Sequence, residues 1–182
     1  EEEATAFLNT CPGAVFSVSS VEKKKGRKSP APPFTTSTLQ QEASRKLGFS
    51  VGQTMSVAQR LYESGRITYM RTDSTLLSKM ALGAAKKIVG ESFGPEYVKT
   101  RQYATRSKGA QEAHEAIRPT FMEQTKIEGS AAEKKLYELI WKRTLASQMA
   151  DAEVDKTQIA IQNSHSANIF TATGEVIVFE GF

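Results

Sequence analysis

Apolar residues recur at two different spacings along this chain, and the spacing changes twice. Near the start, "AVFSVSSV" (14–21) partly alternates apolar and polar positions, which predicts a strand. From Ser37 to Met149 the spacing is helical. Leu39, Ala43 and Leu47 share one face of a first helix, with Ser37 and Gln40 as its capping box and Gly48 as its stop. Ser50 with Gln53 repeats the capping pattern. Met55, Ala58, Leu61 and Tyr62 then line a second helix that ends near Ser64–Gly65. A third helix is predicted from Leu76 to Glu91, striped by Leu77, Ala81, Ala84, Ala85 and Ile88 and broken by "SFGP". Ser130 with Glu133 caps a long amphipathic helix reaching Met149, with Leu136, Leu139, Ile140 and Leu145 on its buried side. After it, "KTQIAIQ", "ANIFTA" and "EVIVFEG" are three short strand candidates with polar turns between them.

The intervening segments are less regular. Residues 1–11 read as a short helix. "RITYM" (66–70) reads as a short β-rich stretch, and residues 95–112 are polar and irregular. "QEAHEAIRPT" (111–120) starts as a helix and stops at Pro119. β-Character therefore sits at both ends of the chain, around a helical middle. The simplest architecture is an α+β fold in which a helical domain is inserted into a β-domain, with the terminal segments paired in space.

Composition narrows the picture. At 182 residues with 39% hydrophobic content, the chain can form one or two packed domains. The net charge of +4 permits a nucleic-acid partner without demanding one. A single cysteine, Cys11, excludes an internal disulfide and suits a reducing compartment. No apolar run approaches the roughly 20 residues that cross a membrane, and the start has no signal-peptide pattern. Without an initiator methionine, and with an abrupt stop at "EGF", both ends are expected to be cuts through a larger protein. Lys23, Lys24, Lys25, Arg27 and Lys28 crowd together just before Pro32 and Pro33. They are expected in a solvated loop entering a new domain, where they could contact phosphates.

Chemistry-bearing residues gather in two places. Tyr69 and Arg71 stand two apart, so an extended backbone would point them to one side. A phenol can be a covalent nucleophile, and a guanidinium fork suits phosphate. Together they could attack and hold a phosphodiester, although tyrosine in a strand is more often packing. Asp73 could orient Arg71 or cap the helix after it. His114 and Arg118 are four apart, one helical face, with Glu112 and Glu115 beside them. No zinc spacing, phosphate-binding glycine loop, dinucleotide fingerprint or nucleophile elbow is present.

The blocks "FTTSTLQQEASRKLGF" (34–49), "TMSVAQRLYESGRITYMRTDS" (54–74) and "QEAHEAIRPT" (111–120) resemble, in order and spacing, the type IA DNA topoisomerases, with the bacterial topoisomerase I branch as the nearest match; "LYELIWKRTLASQMA" (136–150) continues the resemblance. It implies that Tyr69 is the DNA-cleaving tyrosine, forming a transient 5′-phosphotyrosine without ATP. It implies that Arg71 contacts the scissile phosphate and that His114 is the active-site histidine. Gln59 and Glu63 match polar residues near the site. Thr68 and Asp73 match the motif, and Arg118 would lend support or contact DNA; the basic run 23–28, read from its charge alone, would touch DNA phosphates. The implied organisation is a β-rich arch over 1–31 and 150–182, holding a mainly helical tyrosine domain over 32–149, both parts of a toroid. The family places its Mg²⁺-binding acidic cluster in a Toprim domain. No such cluster occurs here, so no metal is expected in this chain and the chain alone is expected to be inactive. The expected partners are single-stranded or negatively supercoiled DNA and the remaining domains of the same polypeptide. The setting is that of a cytoplasmic, nucleoid-associated monomer with no membrane contact. The competing readings are a single-stranded DNA-binding module, a fragment of reverse gyrase or topoisomerase III, and a structural domain in which Tyr69 is ordinary packing.

Overall fold

The computed structural model describes residues 2–103 and 115–182. The chain divides into two compact units: Glu1–Lys28 with Asp151–Gly181, and Ser29–Ala150 with Phe182. The first is a three-stranded antiparallel sheet and the second is helical, so the fold is α+β. No helix among the described residues is long and apolar enough to cross a membrane.

In the sheet unit, helix α1 (Glu2–Leu8) precedes strand β1 (Phe16–Lys28), and β2 (Ala152–Asn163) and β3 (Ser166–Phe179) complete the order β1-β2-β3. The two ends of the chain do pair: Phe16 faces Asn163 and Lys28 faces Ala152. Two expectations fail here. The basic run 23–28 is no loop but the second half of β1, because every residue from Lys23 to Lys28 has a partner on β2. "ANIFTA" and "EVIVFEG" are one strand, because Gly174 pairs with Thr157 and keeps the ladder continuous. A shift of register between Val18 and Ser20 leaves Ser19 as an extra residue, so Val18 and Val21 fall on one face with Ile159, Ile161, Phe170 and Ala172. At one end of that face, Phe170 meets Phe7 of α1 and Phe16, with ring centroids 5.0 and 5.7 Å away. The β2–β3 turn is closed by the His165 N–H, which donates to the Asn163 side chain at 2.8 Å.

The helical unit packs α2 (Thr36–Leu47), α3 (Val51–Glu63) and α5 (Ala131–Ser147) around one core. Phe34, Leu39, Ala58, Leu61, Ile117 and Ile140 are its centre. Helix α4 (Lys79–Ser92) packs Ala85 and Val89 against Met122, Leu145 and Met149. Helix ends obey local chemistry. Ser50 caps α3, and Ser130 with Glu133 makes the capping box of α5. The Glu133 carboxyl is held down at about 2 by the Ser130 hydroxyl and N–H and by Arg60. Gly48 ends α2 at φ 69°, a conformation that favours glycine. Helix α2 is capped by Thr35 with Thr38, not by Ser37, because Thr36 is already drawn into the helix and across to another segment. Helix α4 starts three residues later than predicted, at Lys79, behind its cap Ser78. Nearly buried Glu42 on α2 accepts from Arg45 at 2.6 Å, from Lys46 at 3.1 Å and from Arg143 of α5 at 3.1 Å. Burial would raise its carboxyl, but these three cations hold it below the ordinary range. Arg143 also lies over the Phe34 ring, 4.3 Å from its centroid.

Candidate active site

Gly65, at φ 69°, turns the chain out of α3, and the Arg66 N–H closes the turn on the Leu61 carbonyl at 2.8 Å. The next residues form no regular strand, contrary to the β-rich reading of "RITYM". Ile67 makes an isolated bridge with Pro119, and Ile117 makes one with Phe34. Residues 115–118 therefore run extended, so Arg118 does not stand on a helical face. Pairing to the tyrosine segment on one side and to Phe34 on the other competes successfully with a helix that Pro119 would cut short.

Two threonines fix the backbone on either side of Tyr69. Before it, the Thr68 N–H donates to the Arg118 carbonyl at 2.9 Å. The Thr68 hydroxyl donates to the Ala116 carbonyl at 2.7 Å and accepts from the Arg118 N–H at 3.0 Å. After it, the Thr36 hydroxyl donates to the Met70 carbonyl at 2.8 Å and accepts from the Thr72 N–H at 2.9 Å. The Thr36 N–H donates to the Thr72 carbonyl at 2.9 Å. The Met70 side chain is buried in the main core.

Between these fixed points burial alternates. Met70, Thr72 and Ser74 are buried; Tyr69, Arg71 and Asp73 are exposed. The extended backbone thus presents the three chemistry-bearing side chains outward without a β-ladder. The Tyr69 ring keeps 42% of its surface exposed and meets the Tyr62 ring edge-on, 5.2 Å between centroids. Tyr62 was expected on the buried face of α3, but that face is formed by Thr54, Val57, Ala58 and Leu61, and Tyr62 turns outward. Gln59 and Glu63, one helical turn apart, flank it and bond to each other at 2.6 Å.

The other candidates take different places. Asp73 does not cap α4; Ser78 does. Arg118 is buried beneath the site and held by Glu115 through its Nε at 3.3 Å and its Nη2 at 2.6 Å, while its Nη1 donates to the Pro119 carbonyl at 2.8 Å. Burial would raise the Glu115 carboxyl, but bonds from Arg118 and from the Ser78 N–H at 2.6 Å leave it lowered. Arg118 is thus tied into its own segment, with its guanidinium engaged by Glu115 and the Pro119 carbonyl. His114 lies outside the described residues, as do Glu112 and the expected helical start of 111–114. Lys23, Lys24, Lys25, Arg27 and Lys28 belong to the sheet unit, where Lys24 pairs with Glu22 at 2.8 Å, Arg27 with Glu153 at 3.1 Å, and Lys28 with Glu175.

Sequence reasoning did not assign a role to Thr36 or Tyr62. Thr36 acts on residues 34 and 36 positions away, and no local pattern encodes that. Tyr62 follows Leu61 directly, so its outward direction depends on how α3 is rotated against its neighbours. As for a metal, no three His, Cys, Asp or Glu gather among the described residues to hold one. The carboxylates around the site are engaged: Glu63 by Gln59 and Glu115 by Arg118.

Comparison with known proteins covers the whole chain. A family model described as "DNA topoisomerase" matches residues 1–182. "DNA topoisomerase 1" of Zymomonas mobilis is 51% identical over 182 residues, spanning 99% of this chain and 15% of that protein. "DNA topoisomerase 1" of Synechocystis is 50% identical over 189 residues, spanning 100% of this chain and 21% of that protein. The structure of full-length topoisomerase I from Thermotoga maritima superposes with a TM-score of 0.81 at 39% identity, covering 98% of this chain and 30% of that one. The chain thus spans 15% and 21% of the length of these two curated relatives.

Proposed function

Because this chain belongs to the type IA DNA topoisomerase family, on its bacterial topoisomerase I branch, we propose that it is the part of such an enzyme that carries the DNA-cleaving tyrosine. The observation that carries this reading is the outward presentation of Tyr69 and Arg71 from a backbone clamped by Thr68 and Thr36. A nucleophile that must meet a phosphate in line needs a fixed backbone and an accessible oxygen.

In the proposed reaction the Tyr69 oxygen bonds to the phosphorus of one strand as the bond from phosphorus to the 3′-oxygen breaks. The phenolic proton is lost, the 3′-oxygen gains one, and the phosphate stays joined to Tyr69 through the 5′ side. Arg71 holds the non-bridging oxygens, and its fixed charge offsets the negative charge that builds on them. His114 shares that contact on the strength of its sequence match. The phosphodiester's energy is kept in the new ester, so the reverse reaction reseals the strand without ATP. Between the two steps another strand passes, which relaxes negatively supercoiled DNA. Mg²⁺ belongs to the Toprim domain outside this chain. The whole enzyme is proposed to act as a monomer on the bacterial chromosome.

The test is complementation. The chain is mixed with a Toprim-containing remainder, Mg²⁺ and a single-stranded oligonucleotide labelled at its 3′ end, then denatured and examined for protein joined to DNA. An adduct that disappears in Tyr69→Phe is expected. No adduct, in a mixture that associates and binds the oligonucleotide, would move the reading to a single-stranded DNA-binding module.

A further inference from the structure

The Thr68 and Thr36 clamps fix where Tyr69 leaves the backbone, but not where its ring points. Rotation about χ1 selects among three staggered wells and swings the phenolic oxygen through several ångströms. What restrains the ring is therefore a separate question from what restrains the loop. Among the described residues its aromatic neighbour is Tyr62, and no hydrogen bond of either hydroxyl is formed among them. The contact is edge-on, at an interplanar angle of 64°, a geometry that aromatic quadrupoles favour.

Tyr62 is well placed to act as a wall. It sits in the last turn of α3, whose Val57, Ala58 and Leu61 are fully packed, so its own backbone cannot drift. The Gln59–Glu63 bond spans the turn beside it. Yet 41% of Tyr62 remains exposed, so its ring is not there to fill the core.

We propose that Tyr62 is a positioning residue for Tyr69, its ring edge holding the Tyr69 phenol in the rotamer that meets the scissile phosphate. The proposal rests on the reading of Tyr69 as the nucleophile. Tyr62 acts through Tyr69 and does not itself bind the phosphate. Loss of one aromatic pair changes a rotamer ratio by about two- to tenfold, and the cleavage rate follows that ratio.

The experiment uses the polypeptide that carries this chain together with the family's remaining domains. The rate of adduct formation is measured at saturating single-stranded oligonucleotide, beside the Kd for the same oligonucleotide. Tyr62→Leu, which keeps bulk but removes the ring, is expected to slow adduct formation by about two- to tenfold, with Kd unchanged within about twofold. Tyr62→Phe, which keeps the ring, is expected to restore the rate. Should Tyr62→Leu fold poorly, by the fluorescence of Trp141, Tyr62→Gln serves in its place, with the same expectation. An unchanged rate in the ring-less variant overturns the proposal. So does a weakened Kd with an intact rate at saturation, which would make Tyr62 a stacking surface for a base. So does a Tyr62→Phe variant as slow as Tyr62→Leu. An adduct that persists in Tyr69→Phe overturns the nucleophile reading itself. An adduct lost in Tyr69→Phe but indifferent to Tyr62→Leu overturns the positioning role alone.

Discussion

Phe34, Leu39, Ala58, Ile117, Leu136 and Ile140 of the helical unit have lost their whole accessible surface, whereas Val18, Val21, Val176 and Ile177 on the sheet keep more than half of theirs. The helical unit is held by interlocked side chains, each fully buried one contributing roughly 1.5–3 kcal/mol. The sheet is held by its backbone ladders, with an aromatic cluster at one end of one face. The difference is functional as well as energetic. The proposed nucleophile projects from the unit whose side chains cannot rearrange, and its loop is anchored there at Met70, Thr68 and Thr36. A truncation in the helical unit should therefore be costly, and one on the exposed sheet face nearly silent.

The largest break in that contrast should come from Phe34→Ala. It opens a cavity in the main core and removes the ring beneath Arg143, at an expected loss of about 3–5 kcal/mol. Urea unfolding followed by Trp141, the single tryptophan and a member of the helical unit, measures it. Glu115→Ala comes next, at about 2–3 kcal/mol, because it leaves the buried Arg118 guanidinium without its carboxylate. The Glu115 carboxyl is lowered in the folded chain, so its contribution is present above its ordinary 4.5 and is lost as pH falls through the folded value. A urea series in acid should show that loss in the parent and not in Glu115→Ala. Thr36→Val should cost about 1–2 kcal/mol and slow adduct formation, since the Met70 carbonyl and Thr72 N–H lose their shared partner; equal adduct rates in the two proteins would sever the link between the clamp and the chemistry. Ser130→Ala should cost about 1 kcal/mol by uncapping α5. Its partner Glu133, held at about 2, lends stability that is present above 4.5 and fades as pH falls toward 2, so Glu133→Gln should flatten the acid limb of stability against pH. Smallest of all, Val21→Thr on the open sheet face should shift stability by under about 0.5 kcal/mol, read by hydrogen exchange of the β1–β2 ladder. A large effect there would show that this face is covered.

The same contrast explains what was legible in the sequence. Helix ends at Ser50, Gly48, Gly65 and Ser130 are decided by residues within one turn, so local chemistry reveals them. The order of elements and the pairing of the two chain ends followed from the change of apolar spacing. The family followed from three motif blocks in order, and whole-chain comparison bears it out. Strand lengths did not follow, because Lys23–Lys28 and Thr173–Gly174 are strand only by virtue of their partners on β2. The shared side of Tyr69 and Arg71 was visible as an alternation, but its cause was not, and Asp73 joins them outward instead of capping a helix. It comes from the hydroxyls of Thr36 and Thr68 rather than from a sheet. Tyr62 escaped because the rotation of a helix about its axis is set by everything it packs on.

Within the helical unit, the Tyr103 hydroxyl lies 3.2 Å from the Pro30 carbonyl and 3.1 Å from that of Ser147, drawing the first residues of the unit to its last helix. That clasp bears on the order of folding. Residues 29–151 separate Lys28 from its partner Ala152, and closing so long a loop in an unfolded chain costs about 4 kcal/mol beyond a fixed term. A folded helical unit has already closed it. The β2–β3 hairpin needs only its own short turn, whereas β1, although synthesised first of the three strands, must wait for everything between to be in place. On loop-closure grounds the strand that leaves the ribosome earliest is expected to join the sheet last.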